Sequence, residues 1–316
     1  MVTRMLLDTP KATTPRPAPS IASSSVVIAA EPPAPAPLRP WAILAGGLLL
    51  IFWAFFSTLD LFVEKWIGDP QYSHGFLVPF FSLYLLRGVW QSGKPWYSAP
   101  QPLFAAGAFL LAFGLRLIAG GLLFVQLDAV AMIVSLFALA LAAGGTRMAK
   151  VAAPAILYLI FLVPLPYELE RNVGGPLKIV ATQSSTFLLQ TLGYPAVAEG
   201  NLILIDEVRL GVIDACSGLK MLMTFAAFAI GAVLLLERTW FEKFIVVLGI
   251  LPIAIITNVL RITGTGVVYT LTTNKETQNF SHDLFGWLMM PAGLGLLALQ
   301  LWILSRLVVP PAPKEA

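Results

Sequence analysis

Residues 103–143 read LFAAGAFLLAFGLRLIAGGLLFVQLDAVAMIVSLFALALAA and contain one Arg and one Asp as their only charged side chains. A membrane-spanning helix needs about 20 apolar residues to cross a hydrocarbon core of about 30 Å. The stretch therefore predicts two consecutive spans, 103–119 and 122–143. Gly120 and Gly121 are predicted to form the turn between them.

The same apolar character extends over most of the chain. Hydrophobic residues make up 58% of the 316 residues and charged residues only 12%, and the mean hydropathy is +0.82. These values are far from those of a soluble globular domain. Apolar segments near the required length predict an all-α polytopic membrane protein with about eight transmembrane helices. The segments are 41–59, 75–89, 103–119, 122–143, 151–164, 219–236, 244–263 and 284–307.

The distribution of Lys and Arg predicts the orientation, because cytoplasmic loops retain more of these residues. If eight spans alternate, both termini fall on the side richer in Lys and Arg, and we expect them in the cytoplasm. Residues 60–74, 165–217 and 264–283 are then extracytoplasmic. Residues 1–40 are rich in Pro and Ala and predict a disordered cytoplasmic tail, and 308–316 predict a short C-terminal cytoplasmic tail.

The charge pattern and the missing motifs exclude several classes of function. The formal net charge is +3, and the basic residues are dispersed between apolar segments, so they belong to membrane flanks and not to a nucleic-acid surface. P-loops, dinucleotide fingerprints, serine nucleophile elbows and zinc-ligand pairs do not occur. We therefore expect no cofactor and no metal. The apolar composition makes the lipid bilayer an expected partner.

The long outer stretch divides into two parts. Residues 171–192 have apolar side chains at helical spacing with Ser, Thr and Gln between them, which predicts an amphipathic helix lying on the membrane surface. Residues 194–213 are rich in β-branched side chains and partly alternate, with turn signals at 199–200 and 206–207. They predict a small extracytoplasmic β element that leads directly to Cys216.

Cys216 is the only cysteine of the chain, so it cannot form an intrachain disulfide. Asp214 is a candidate N-cap for the following span, with Ser217-Gly218 in its first turn. A thiol near a helix N-terminus is favoured as thiolate, and Lys220 could add to this effect. A small buried hydrophobic residue is the alternative interpretation, and it is about as common.

Two further polar residues are predicted at the same depth of the membrane. His282, followed by Asp283 that could orient its ring, begins the eighth span and suits a general acid or base. Arg261 lies in an apolar run, where an arginine at the helix centre costs about 2.5 kcal/mol or more. A snorkelling arginine is the alternative. Asn258 shares the helix face of Arg261 and could hold its guanidinium.

These residues belong to the segments ACSGL (215–219), NVLR (258–261) and HDLFG (282–286), each beside an apolar span. Two more segments lie upstream, YSHGFLVP (72–79) and FLVPLP (161–166). In this order they resemble the exosortase/archaeosortase family of membrane transpeptidases, and the resemblance covers nearly all of the apolar part of the chain.

The resemblance implies that residues 41–307 form a membrane-embedded cysteine transpeptidase or protease acting on exported proteins. Its substrate signal would be a short motif such as Pro-Glu-Pro, a transmembrane helix and a basic cytoplasmic end. Cys216 would be the nucleophile, Arg261 the group that binds the oxyanion or positions the substrate, and His282 the acid and base. Amine or water would resolve the thioacyl-enzyme.

The resemblance also implies a location and partners. It places the protein in a bacterial inner membrane with the active site at the extracytoplasmic face. The partners would be the C-terminal sorting regions of exported, membrane-anchored proteins and proteins of exopolysaccharide production.

Other interpretations remain open. His74 could line the site, or its segment could shape the start of the second span; we favour the structural role. A transporter or a flippase for a lipid-linked saccharide is also compatible with eight spans, although it should carry polar residues near mid-membrane. In a non-catalytic membrane scaffold the thiol would be dispensable.

Overall fold

The computed structural model describes residues 38–91, 96–212, 218–236 and 238–307. The structure is mostly helical with one small sheet, in agreement with the predicted fold class. The helices are α1 Leu38–Ala54, α2 Phe56–Gly68, α3 Leu77–Gln91, α4 Pro102–Leu122, α5 Val125–Tyr158, α6 Tyr167–Thr191, α7 Leu219–Leu235, α8 Trp240–Leu248, α9 Ile250–Leu271 and α10 Lys275–Leu307. Short 3₁₀ helices lie at Pro70–Phe76 and Leu159–Leu162.

Several helices are long and apolar enough to cross a membrane, so the chain is a multi-pass membrane protein. Within the described ranges there are four, and a fifth if the bent pair α1–α2 is one span. They are Pro102–Leu122, Val125–Leu162, Trp240–Leu271 and Lys275–Leu307. The predicted number of eight spans therefore stays a prediction.

The connection between α4 and α5 differs from the expected glycine turn. Helix α4 continues through Gly120 and Gly121, and the chain turns at Leu123, which has a φ of +53°. A helix in lipid satisfies its own backbone groups, whereas a turn does not, so the helix continues past both glycines. The sequence reasoning was wrong on this turn by about two residues.

The predicted spans 122–143 and 151–164 belong to one long helix, α5, with an interruption. Gly144 and Gly145 have non-helical backbone angles, and the φ of Gly145 is +67°. The segment before α4 crosses there: the Ser98 N–H donates to the Gly144 carbonyl, and a Cβ on Gly145 would lie 2.1 Å from the Ala99 carbonyl oxygen. The close crossing requires glycine and explains the kink.

An ion pair fixes the bend of 67° between α1 and α2. Arg116 of α4 donates to both carboxylate oxygens of Asp128 of α5 at 3.0–3.1 Å and to the carbonyl of Ala54, the last residue of α1. The hydroxyl of Thr58 in α2 donates to the same carboxylate. Because the guanidinium also lies 4.3 Å from the centre of the Phe55 ring, the pair holds both sides of the bend.

The small sheet is an antiparallel meander of β1 Ala196–Glu199, β2 Leu202–Ile205 and β3 Val208–Gly211. Its two-residue loops contain Gly200 with a φ of +60° and Asp206 with a φ of +52°, conformations that Gly and Asp tolerate. The predicted β element and its turns are thus confirmed. Residues 171–192 are helical within α6, and the surface location of that helix stays a prediction.

Helices α9 and α10 form an antiparallel hairpin with a connector of residues 272–274. Glycines mark the close approaches along it. A Cβ on Gly249 would meet the Gln300 amide at 2.2 Å, and one on Gly264 would meet the Phe285 ring at 2.7 Å. This register brings Gly286 opposite Arg261, where the candidate site lies.

Candidate functional site

The candidate site is built on one face of α9. Asn258 and Arg261 are one turn apart on this helix and are only 1% and 4% exposed. An arginine buried in an apolar helix needs polar neighbours, because an unpaired charge there would cost several kcal/mol. The neighbours come from the helices that flank this face, α10 and α7.

The closest neighbour of Arg261 from α10 is His282. Nη2 of the guanidinium lies 3.2 Å from Nε2 of the imidazole. A guanidinium only donates hydrogen bonds, so Nε2 must be the acceptor and must lack a proton. The ring proton is then on Nδ1, and the imidazole is neutral in this arrangement.

Asp283 lies on the other side of the same ring. Its Oδ1 is 3.2 Å from Nδ1 of His282, where the ring proton can be donated to the carboxylate. The side chain of His282 is 29% exposed and that of Asp283 is 76% exposed. The site is therefore closed at Arg261 and accessible from the side of His282.

Gly286 provides the space for the guanidinium. It follows His282 by one turn on α10, and a Cβ at this position would lie 3.5 Å from Nη2 of Arg261. A methyl group would make ordinary contact, whereas a longer side chain would occupy the volume of the guanidinium. Gly286 belongs to the segment HDLFG, but no role was predicted for it from the sequence. Its spacing of four residues from His282 was the signal that could have placed it on the same helix face.

Cys216 lies outside the described residues, which resume at Gly218. Gly218 has a φ of +76° and is the N-cap residue of α7, so it precedes the first helical turn in which it was predicted. Ser217 and Asp214, the predicted N-cap, lie outside the described residues. A Cβ on Gly218 would lie 3.3 Å from Nδ2 of Asn258, so α7 starts against the site.

Lys220 is the second residue of α7, and its side chain lies outside the description. The expected shared helical face of Cys216 and Lys220 includes a residue outside the described ranges, Cys216. The proposed contribution of Lys220 to the thiolate stays untested.

His74 lies in the 3₁₀ helix before α3 and is 5% exposed. Its Nδ1 is 3.0 Å from the hydroxyl of Thr224, which lies about 9 Å along α7 from Gly218. Gly75 beside it is packed under the ring of Trp66, whose Nε1–H donates to the Leu162 carbonyl at 3.1 Å. These contacts assign His74 a packing position beside α7 that sequence spacing did not reveal.

The described ranges contain no group of three His, Cys, Asp or Glu side chains that could hold a metal ion. The described side chains at the site are the guanidinium of Arg261, the imidazole of His282, the carboxylate of Asp283 and the amide of Asn258 near the start of α7.

Comparison with known families identifies the family of this chain. The family model of the transmembrane exosortases matches residues 66–299, which include α7, α9 and residues 275–299 of α10. The match covers well over half of the chain, and the protein belongs to the transmembrane exosortase family. No curated protein and no solved structure gives a significant match.

Proposed function

We propose that this protein is a membrane cysteine transpeptidase that cleaves the C-terminal sorting signal of exported proteins, with Cys216, Arg261 and His282 as its reacting groups. Family membership supports the general role. The single observation that carries the residue roles is the 3.2 Å contact between Arg261 and His282, beside the helix that begins three residues after Cys216.

The chain connectivity supports the role of Cys216. Gly218 lies against Asn258, and Arg261 is one turn further along the same helix face. Two residues of chain reach at most about 7 Å. This reach allows the thiol of Cys216 to approach the guanidinium of Arg261.

The neutral imidazole can start the reaction. Nε2 of His282 accepts the thiol proton, and the thiolate attacks the carbonyl carbon of the peptide bond. Protonated Nε2 no longer accepts from Arg261, so Nη2 becomes available to the oxyanion that forms on the carbonyl oxygen.

Collapse of the tetrahedral intermediate completes the first half-reaction. The C–N bond breaks, the imidazolium gives its proton to the leaving amine, and a thioester with Cys216 remains. An amine acceptor or water then attacks the thioester, and the thiol is regenerated.

The same proposal includes the finer topology. We infer eight spans, cytoplasmic termini and an extracytoplasmic site in a bacterial inner membrane, because the positive-inside rule and family membership agree. The substrate signal would combine a short motif, a transmembrane helix and a basic end. Exopolysaccharide production would accompany this activity, as in the family.

Replacement of the thiol tests the proposal. Cys216→Ala and Cys216→Ser should abolish processing of a membrane-anchored reporter carrying such a signal, while the level of the protein in the membrane stays normal. Accumulation of uncleaved reporter is measured by immunoblot. Processing at the wild-type rate in Cys216→Ala would refute the proposed mechanism.

The side of the membrane is tested by labelling with an impermeant thiol reagent, since Cys216 is the only cysteine. Cells with a permeabilised outer membrane should be labelled, and Cys216→Ser should not. Labelling restricted to inside-out vesicles would overturn the orientation.

A further inference from the structure

The face of α9 that carries Asn258 and Arg261 continues with a third polar residue, Thr265. At 3.6 residues per turn, successive residues are about 100° apart, so Thr265 is about 40° from Arg261 and about 20° from Asn258. Thr265 is 3% exposed. The three side chains thus form a polar stripe along one face of α9.

The hydroxyl of Thr265 has no hydrogen-bond partner within the described ranges. This is unusual, because a helical threonine in lipid can donate to a carbonyl of the preceding turn, as Thr257 of the same helix does to Ile253 at 2.8 Å. A buried hydroxyl without a partner lowers stability, and such a group in a native structure needs an explanation.

We propose that Thr265 is a substrate-binding residue whose hydroxyl hydrogen-bonds the backbone of the sorting-signal peptide. This inference rests on the proposed function of the same site. The hydroxyl can donate to a peptide carbonyl or accept from a peptide N–H, so it does not depend on the side chains of the substrate.

The spacing along α9 indicates which part of the peptide is bound. Thr265 is four residues from Arg261, a rise of about 6 Å. An extended peptide advances about 3.3 Å per residue, so a chain whose reacting carbonyl is at Arg261 places its second neighbour at Thr265. Because α9 runs outward in the proposed topology, that neighbour belongs to the exported side of the cleaved bond.

Thr263 provides a matched control on the same helix. It is 4% exposed, and its hydroxyl likewise lacks a partner in the described part of the chain. It lies about 160° away from Arg261 around the helix, so it points away from the stripe. Thr263 and Thr265 are similarly buried and carry the same hydroxyl group, and they differ in the side of α9 on which they lie.

The experiment compares Thr265→Val with Thr263→Val in the full-length protein reconstituted in liposomes. The substrate is a membrane-anchored reporter that the wild type processes. Valine removes a hydroxyl that has no partner, so neither variant should melt at a lower temperature than the wild type. Thr265→Val should raise KM about tenfold with kcat nearly unchanged, since the lost contact binds substrate and transition state alike. Thr265→Ser should retain a KM within about threefold of the wild type.

A wild-type KM in Thr265→Val, or an equal rise in KM in Thr263→Val, would overturn the inference. A loss of activity in Thr265→Val accompanied by a lower melting temperature would also overturn it, because the role would then be structural. The two failures can be distinguished by Cys216→Ala. If the proposed function is wrong, Cys216→Ala still processes the reporter. If only this inference is wrong, Cys216→Ala remains inactive.

Discussion

Nη2 of Arg261 and Nε2 of His282 lie 3.2 Å apart although 21 residues separate them in the chain. The contact links two helices and holds the imidazole in the neutral form with its proton on Nδ1. In the proposed mechanism one guanidinium has two functions: it orients the base before the reaction and binds negative charge during it.

Arg261→Lys tests this double role. The side chain of lysine is shorter and carries a point charge without the planar fork of the guanidinium. It therefore cannot keep the contact with Nε2 of His282. We expect processing to fall by about 10²–10³-fold, as for loss of an oxyanion donor. Reporter cleavage in purified protein measures the effect. The control is Arg209→Lys, at an exposed position of β3, and its processing rate should stay within about twofold of the wild type. Equal activity of the Arg261→Lys and Arg209→Lys variants would contradict the assignment.

His282 and Asp283 should differ in importance. His282→Gln removes the group that carries the proton and should reduce the rate by about 10²-fold or more. Asp283→Asn should reduce it by about tenfold at most, because an interaction of a carboxylate that is 76% exposed is weakened by water. Initial rates of reporter cleavage rank the two variants. A larger loss in Asp283→Asn than in His282→Gln would reverse the proposed roles.

Gly286 should tolerate only a small side chain. Gly286→Ala places a methyl group 3.5 Å from Nη2 of Arg261, an ordinary contact, and should keep most of the activity. Gly286→Leu should displace the guanidinium and reduce processing at least about 50-fold. Gly295→Leu on the same helix is the control, because a Cβ there has no atom within 4 Å. Normal processing by Gly286→Leu would mean that Arg261 does not need this position.

The ion pair at the bend of α1 and α2 should contribute to stability. Asp128→Leu leaves the Arg116 guanidinium without its carboxylate and should lower the free energy of unfolding by about 2–3 kcal/mol. The double variant Arg116→Met/Asp128→Leu should recover part of this loss, since no charge is left unpaired. Thermal unfolding in detergent measures both. A double variant less stable than the single one would contradict this expectation and show that Arg116 stabilises the bend through Ala54 and Phe55 without the carboxylate.

Local features were the ones that sequence reasoning predicted well. The turns at Gly200 and Asp206 depend on conformations that each residue type itself permits, and the apolar segments form helices because lipid requires internal hydrogen bonding. The prediction that Arg261 and His282 lie at one depth also needed only span order. Their contact could not be predicted, because it depends on how the two helices pack.

Features that depend on tertiary contacts could not be predicted in detail. The kink at Gly144 and Gly145 arises from a crossing segment 46 residues earlier, and sequence spacing contains no information about that crossing. His74 meets Thr224 across 150 residues, so no local pattern could name its partner. The predicted start of α7 was too early, because Gly218 in a left-handed conformation precedes the helix, which begins at Leu219.

The register of the α9–α10 hairpin has a consequence for how the length of this chain can vary during evolution. One residue inserted between Gly286 and Gln300 would rotate the rest of α10 by about 100° and move it by about 1.5 Å. Gln300 would then no longer pack against Gly249, whereas Arg261 would still have to contact His282. Insertions and deletions should therefore accumulate in the connector 272–274, and the two helices should keep a constant number of residues between their contact points.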